Sequence, residues 1–258
     1  MKYFVILILI AKTVTHLSAQ SDQSLFNNHS GHHDWAYSGQ YGPDHWAELD
    51  PEYRDCNGDL QSPIDLVHAV CQAKKVDIQF HYHPFFVDLI NNGHTLIEKV
   101  VEPKALELDG ETYTLLQFHF HTPSEHHVDH KKYPMEIHFV HQNQAGDYAV
   151  IAVLVEYGIR ANPFLAHFMK SLPTHVHEER RSHEKADPME ALPRNNHKFF
   201  YYKGSLTTPP CSQNVSWVVM EKPVQATEIQ IAQIHNILYD DNRPIQDSHN
   251  RVVYLADY

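Results

Sequence analysis

Past residue 11 the chain has no apolar run long enough to cross a bilayer, which takes about 20 consecutive apolar residues. No membrane span is therefore expected in its body. Basic residues are also scarce: 20 Lys and Arg stand against 32 Asp and Glu, for a net charge of −12. A surface of that sign argues against nucleic acid or anionic membranes as partners and favours solubility. Cysteine is limited to Cys56, Cys71 and Cys211. If the chain is exported, an even subset of these pairs and one is left over. No internal repeat or low-complexity tract appears, so the sequence does not suggest a repeat array.

The ends and the body separate by composition. Lys2 precedes an apolar run over residues 4–11, and Leu17-Ser18-Ala19 offers a small-residue cleavage site. Residues 1–19 read as a secretory signal peptide, which places the protein in a periplasm or outside the cell. Residues 20–34 are polar, include His29, His32 and His33, and read as a flexible N-terminal segment. Residues 35–258 form a length that suits one domain and can bury a large core. Asn28-His29-Ser30 and Asn214-Val215-Ser216 match the glycosylation pattern, which matters only in a eukaryotic host.

What the sequence has in quantity is histidine, 23 residues in all. With so many, a His-x-His pair arises readily by chance. The pair in Gln117-Phe118-His119-Phe120-His121 gains weight from its setting. Successive side chains of a strand alternate in direction, so His119 and His121 share one face with Cα atoms roughly 6.6–6.8 Å apart. Two imidazoles at that spacing can converge on one ion. His138 lies in a second strand-like run, Met135-Glu136-Ile137-His138-Phe139-Val140, far enough along for an antiparallel return beside the first. Gln117 and Glu136 each sit two residues before a histidine, on its face, as acceptors for the second ring nitrogen would. Three neutral imidazoles would leave the fourth tetrahedral position of a zinc ion open to water.

Those two runs, extended by Thr122-Pro123-Ser124-Glu125-His126 and followed by Ser205-Leu206-Thr207-Thr208-Pro209-Pro210-Cys211, closely resemble the alpha-class carbonic anhydrases. The resemblance runs from about Trp35 to Val253, and its wording is closer to bacterial and plant members than to vertebrate ones. It implies a zinc ion on His119, His121 and His138, and reversible hydration of carbon dioxide to bicarbonate and a proton by attack of zinc-bound hydroxide. In the family pattern Thr207 orients the hydroxide and donates to Glu125. Its backbone N–H, with Thr208, Leu206 and Trp217, lines the substrate pocket. Val140 and Val150 match the apolar wall that holds carbon dioxide. His94, directly after the turn Asn91-Asn92-Gly93, matches the residue that shuttles protons to solvent, a task suited to imidazole. Tyr37 and Asn92 match members of its water network, whereas Ile97 departs from the polar residue found there in well-known animal forms. Secreted and bacterial relatives join the positions matched by Cys56 and Cys211, which would leave Cys71 as a buried thiol or an intermolecular link. Gln61-Ser62-Pro63-Ile64-Asp65 is a further match and reads as structural. The partner class implied is a small molecule, carbon dioxide or bicarbonate, and a homodimer is left open.

The fold implied is α+β and single-domain: a central, twisted, mostly antiparallel sheet of about ten strands with short helices around it. Periodicity agrees locally. Alternating runs at residues 76–80, 86–90 and 95–97 read as strands. The apolar run over residues 149–157 reads as a strand buried on both faces. Asn162-Pro163 opens a helix with the stripe Phe164, Leu165, Phe168 and Leu172. Thr227 and Gln230 form a capping box before Ile231, Ile234 and Leu238. Residues 98–114 read as polar and turn-rich, and 174–187 as a solvated loop. His127, His130 and His141 receive no role, and His141 falls on the face opposite His138.

Two other function classes fit parts of the sequence. A binding or structural module with a defunct site would have lost a ligand, yet all three histidines, Thr207, Glu125 and His94 are intact. A cupin-type iron or manganese enzyme would explain His119-x-His121-x-x-x-Glu125. It would not explain the missing glycine-rich second motif around His138 or the Thr-Thr-Pro-Pro segment.

Overall fold

Period-two alternation sorts the side chains of the central strands onto two faces, and that sorting builds the site. The computed structural model describes residues 34–194 and 197–257. The expected leader, residues 20–33 of the expected flexible segment and the Asn28 sequon lie outside them. Among the described residues the strands are β1 (Asp65–Leu66), β2 (Gln72–Ala73), β3 (Ile78–Phe80), β4 (Phe85–Asn91), β5 (Leu96–Leu108), β6 (Glu111–His121), β7 (His127–Val128), β8 (Lys131–Lys132), β9 (Met135–Asn143), β10 (Tyr148–Tyr157), β11 (Glu179–Ala186), β12 (Lys198–Ser205), β13 (Gln213–Met220), β14 (Val224–Ala226) and β15 (Tyr254–Asp257). The helices α1 (Trp46–Leu49), α2 (Pro163–Ala166) and α3 (Glu228–Leu238) are short. No helix among the described residues is long and apolar enough to cross a membrane.

Twelve strands form one sheet, ordered β11-β4-β5-β6-β9-β10-β13-β12-β15-β2, with β14 beside β10 and β3 beside β5. Most pairs are antiparallel. The β10–β13, β10–β14 and β15–β2 pairs are parallel. In β10, Ala149, Ile151, Val153 and Val155 enter one apolar cluster while Val150, Ala152 and Leu154 enter another. In β9, Met135, Ile137 and Phe139 join the first cluster, leaving Glu136, His138 and Val140 on the opposite face. In β6, Phe118 and Phe120 pack into the first cluster, which turns His119 and His121 to the other side. The apolar residues of each strand thus fix which way its polar ones point.

Two segments differ from the sequence reading. Residues 98–114 are mostly strand: β5 and β6 form a hairpin across Asp109-Gly110, both at positive φ (49° and 85°). Register shifts on either side of Glu102 break the alternation that would have revealed the strand. Residues 179–186 are β11, paired with β4 at the sheet's edge. Its charge suits an edge strand, where charged side chains discourage pairing with other chains. Helix α2 is also only one turn long, though Phe164, Leu165 and Phe168 are buried in the first cluster as their spacing requires. The capping box at Thr227 is present, with both of its bonds.

Glu98 on β5 is only 4 % exposed, and its Oε2 lacks a hydrogen-bond partner. Burial first, then the carboxylates of Asp88 and Glu179, push its pKa up to about 8, against the pull of the Asp88 N–H and Arg181. The folded chain therefore keeps a proton that the unfolded chain releases near 4.5, and stability falls as pH rises from about 4.5 to about 8. Glu98→Gln has no proton to lose. Its unfolding midpoint should gain on the parent's between pH 5 and pH 8.5 in parallel urea titrations. A difference independent of pH would contradict this account.

Candidate metal centre

His119 and His138 stand directly opposite each other on β6 and β9, and His121 lies two residues along. One ligand-capable nitrogen from each imidazole falls within 4.8 Å of the others. The Nε2 atoms of His119 and His121 are 3.0 Å apart. The outer nitrogens are all engaged. His119 Nδ1 donates to Gln117 Oε1 at 2.7 Å, and His121 Nδ1 to the carbonyl of Asp241 at 2.7 Å. His138 Nε2 donates to Glu136 Oε1 at 2.7 Å. With the proton of each ring held outside, three bare lone pairs face one another. That arrangement repels itself unless a cation sits between. Burial disfavours protonation, holding His119 well below the usual imidazole range, His121 at about 4, and His138 also low. Three neutral nitrogen donors suit zinc.

The sequence pointed to Gln117 and Glu136, but not to Asp241, whose contribution is a backbone carbonyl from far along the chain. It also left His126 without a role. His126 is fully buried, donates from Nδ1 to Glu136 Oε1 at 2.7 Å, and meets the Tyr202 hydroxyl at 2.7 Å through Nε2. Tyr202 reaches on to Ser62 Oγ at 2.8 Å. Burial alone would raise Glu136, but facing His126 and His138 holds it well below the usual carboxylate range. Glu136 also accepts the backbone N–H groups of Glu125 and His126 at 2.8 Å each. One buried carboxylate thus anchors His138 and the loop that carries Glu125.

Residues 41–257 match the family described as eukaryotic-type carbonic anhydrase. The chain belongs to this family. A carbonic anhydrase of Nostoc sp. is 39 % identical over 231 residues, covering 86 % of each chain. One from Pectobacterium carotovorum is 38 % identical over 85 % of this chain and 89 % of that one. The alpha-carbonic anhydrase of Thermovibrio ammonificans, solved with the inhibitor sulfanilamide, superposes with a TM-score of 0.80 at 37 % identity, over 87 % of this chain and 99 % of that one. The enzyme class follows: this is a carbonic anhydrase, a lyase.

Around the three histidines, this carbonic anhydrase brings most of the other candidate residues together. Glu125 is 1 % exposed, and its Oε1 accepts the Arg243 N–H at 2.8 Å. Its Oε2 lies 3.5 Å from His121 Nε2 and 4.0 Å from His138 Nδ1. Burial pushes its pKa up to about 7, against the pull of His138, the Thr207 hydroxyl and the Arg243 N–H. Thr207 is buried and Thr208 half-buried. Val140 and Val150 pair across β9 and β10 and share an apolar cluster with Trp217, against which Leu206 packs. The Trp217 and His138 ring centroids are 5.0 Å apart.

His94 is half-buried and directly follows Gly93, which takes φ +91°. Its ring stacks on Trp35, with centroids 3.9 Å apart and planes 11° from parallel. Burial lowers its pKa, with Asp34 opposing. Asn92 Oδ1 accepts the backbone N–H groups of His94 and Thr95, at 2.9 and 2.8 Å. Tyr37 is half-buried, and its hydroxyl meets no partner among the described residues. Cys56 and Cys211 form a disulfide, while Cys71 is a free thiol whose Sγ donates to the Val67 carbonyl at 3.3 Å. His141 faces away from the centre, between the Tyr82 hydroxyl and the Ala149 carbonyl.

Proposed function

We propose that residues 35–258 form a catalytic domain for zinc-dependent, reversible hydration of carbon dioxide, with His119, His121 and His138 as the metal ligands. The observation that carries this is the set of three converging ring nitrogens, on two buried imidazoles and one half-buried one, beside an apolar wall. Bound there, zinc supplies a Lewis acid that brings the pKa of a coordinated water to about 7. The chain's own residues do the rest. The Thr207 hydroxyl donates a hydrogen bond to the Glu125 carboxylate, so its oxygen is left to accept from the attacking group and fixes the direction of attack. The Arg243 N–H holds the Glu125 carboxyl in place for that bond. The Thr207 backbone N–H and Thr208 receive an oxygen of the substrate or of bicarbonate. Val140, Val150, Leu206 and Trp217 offer an uncharged molecule an apolar surface without competing for the nucleophile. Tyr37, whose buried hydroxyl has no partner among the described residues, and Asn92 order water between the centre and His94. His94 takes up the proton released in each turnover and passes it out. The disulfide and the apolar leader of residues 4–11 support an exported protein.

Stopped-flow hydration measured together with zinc content tests the assignment: activity should track one zinc per chain. A folded, zinc-loaded protein without hydration activity would overturn it. His94→Ala should lower kcat while leaving kcat/KM nearly unchanged, and added imidazole should restore part of the loss. An unaltered kcat would remove His94 from the proton path.

A further inference from the structure

His94 is poorly placed to hand a proton to a bulky base. One face of its ring is covered by Trp35, with centroids 3.9 Å apart. The turn that carries it is flanked by a second segment, residues 174–178, which leads into β11. The His177 N–H donates to the Asn91 carbonyl at 2.7 Å, and the Asn91 N–H donates to the Glu178 carbonyl at 3.0 Å. These two bonds continue the β4–β11 ladder past Ile90 and Glu179. Val176 closes the approach: a Cβ built on Gly93 would stand 3.2 Å from its Cγ1. The segment therefore runs beside residues 91–93, immediately before His94, and its backbone carries two more histidines, His175 and His177. His175 and His177 are both exposed. His175 Nδ1 lies 3.5 Å from Glu178 Oε2 and 3.1 Å from the Thr174 hydroxyl. Glu178 is an anion at neutral pH, since Arg180 and the N–H groups of His175 and Thr174 hold it near 2.

We propose that His175 and His177 form a second stage of the proton path, receiving the proton from His94 and delivering it to buffer. The inference rests on His94 being the shuttle. The proton leaves a ring nitrogen of His94, crosses hydrogen-bonded water to a ring nitrogen of His175 or His177, and departs on a buffer base. All three imidazoles are then neutral and ready for the next turnover. The residues are relays and touch no substrate, so they govern kcat when acceptors in solution are dilute and do not enter kcat/KM.

The test compares zinc-loaded parent, His94→Ala and the double variant His175→Gln with His177→Asn, by stopped-flow hydration in dilute and in concentrated imidazole buffer. Asparagine tolerates the left-handed backbone at position 177, where φ is 66°, and keeps the N–H bonded to Asn91. The double variant should lose kcat severalfold in dilute buffer, recover the parent's value in concentrated buffer, and match the parent's kcat/KM in both. A parental kcat in dilute buffer overturns the inference. So does a deficit that persists in concentrated buffer with a lowered kcat/KM, because that marks a purely structural loop. If His94→Ala also shows no buffer-dependent deficit, the shuttle reading itself has failed. If only the double variant lacks it, the second stage alone falls.

Discussion

Dialysis of the folded protein against a strong zinc chelator should abolish carbon dioxide hydration, and one equivalent of zinc per chain should restore it. The expectation follows from the three inward nitrogens, which no protein hydrogen can satisfy while their outer partners hold the ring protons. Removing an outer partner should act in the same direction with smaller effect. Gln117→Ala frees His119 to change tautomer and rotate, which should weaken zinc binding by about 10–100-fold. Competition with a chromophoric chelator reads that change directly, and hydration measured at saturating zinc separates weaker binding from damaged chemistry. A metal-free protein that hydrates carbon dioxide at the parental rate would end the zinc reading. Parental zinc affinity in Gln117→Ala would remove that side chain from the support of His119.

Loss of the Cys56–Cys211 bridge should cost much of the protein's stability. The bridge spans 155 positions, and loop-closure entropy for that span corresponds to about 5 kcal/mol at most. For a chain of this size the melting temperature should fall by about 10–20 °C. The bridge packs with Trp46 in a small cluster that Trp35 and Tyr37 adjoin, so it also steadies the stacking partner of His94. The double variant Cys56→Ser with Cys211→Ser should show the shift without reductant. The parent should show it only with reductant, in matched thermal melts. Coincident melts would mean the bridge contributes nothing measurable.

The ligand pairs were legible because a strand repeats every two residues. Gln117 with His119, and Glu136 with His138, announce a shared face by spacing alone. The family motifs then supplied Thr207, Glu125 and the cysteine pair, which spacing does not give. What stayed hidden has a common cause. Asp241 and Arg243 serve the site through a carbonyl and an N–H, groups that every residue carries and no pattern marks. His126 sat in view within a matched motif, but its bond to Glu136 depends on a loop folding back over β9. Strand β5 was obscured by bulges and by the charges at Glu98, Lys99, Glu102 and Lys104, and β11 by the charges an edge strand carries. The alternation rule holds for regular strands, and register shifts interrupt both of these.

The Arg243 side chain, 1 % exposed, reaches back to Gln61 Oε1 at 2.7 Å, the Ser62 carbonyl at 2.9 Å and the Cys56 carbonyl at 3.1 Å. Its N–H holds Glu125, and its near neighbour Asp241 holds His121. The ligand strands leave the ribosome long before these two residues do, so a growing chain can pair β6 with β9 and still lack the groups that aim His121 and Glu125. Contacts so distant in sequence also form late and slowly in folding. The centre is thus completed only after residues 241 and 243 have been made. A product cut short before residue 241 would carry all three imidazoles yet hold a metal ion in a loosened grip, because the carbonyl that aims His121 would be missing.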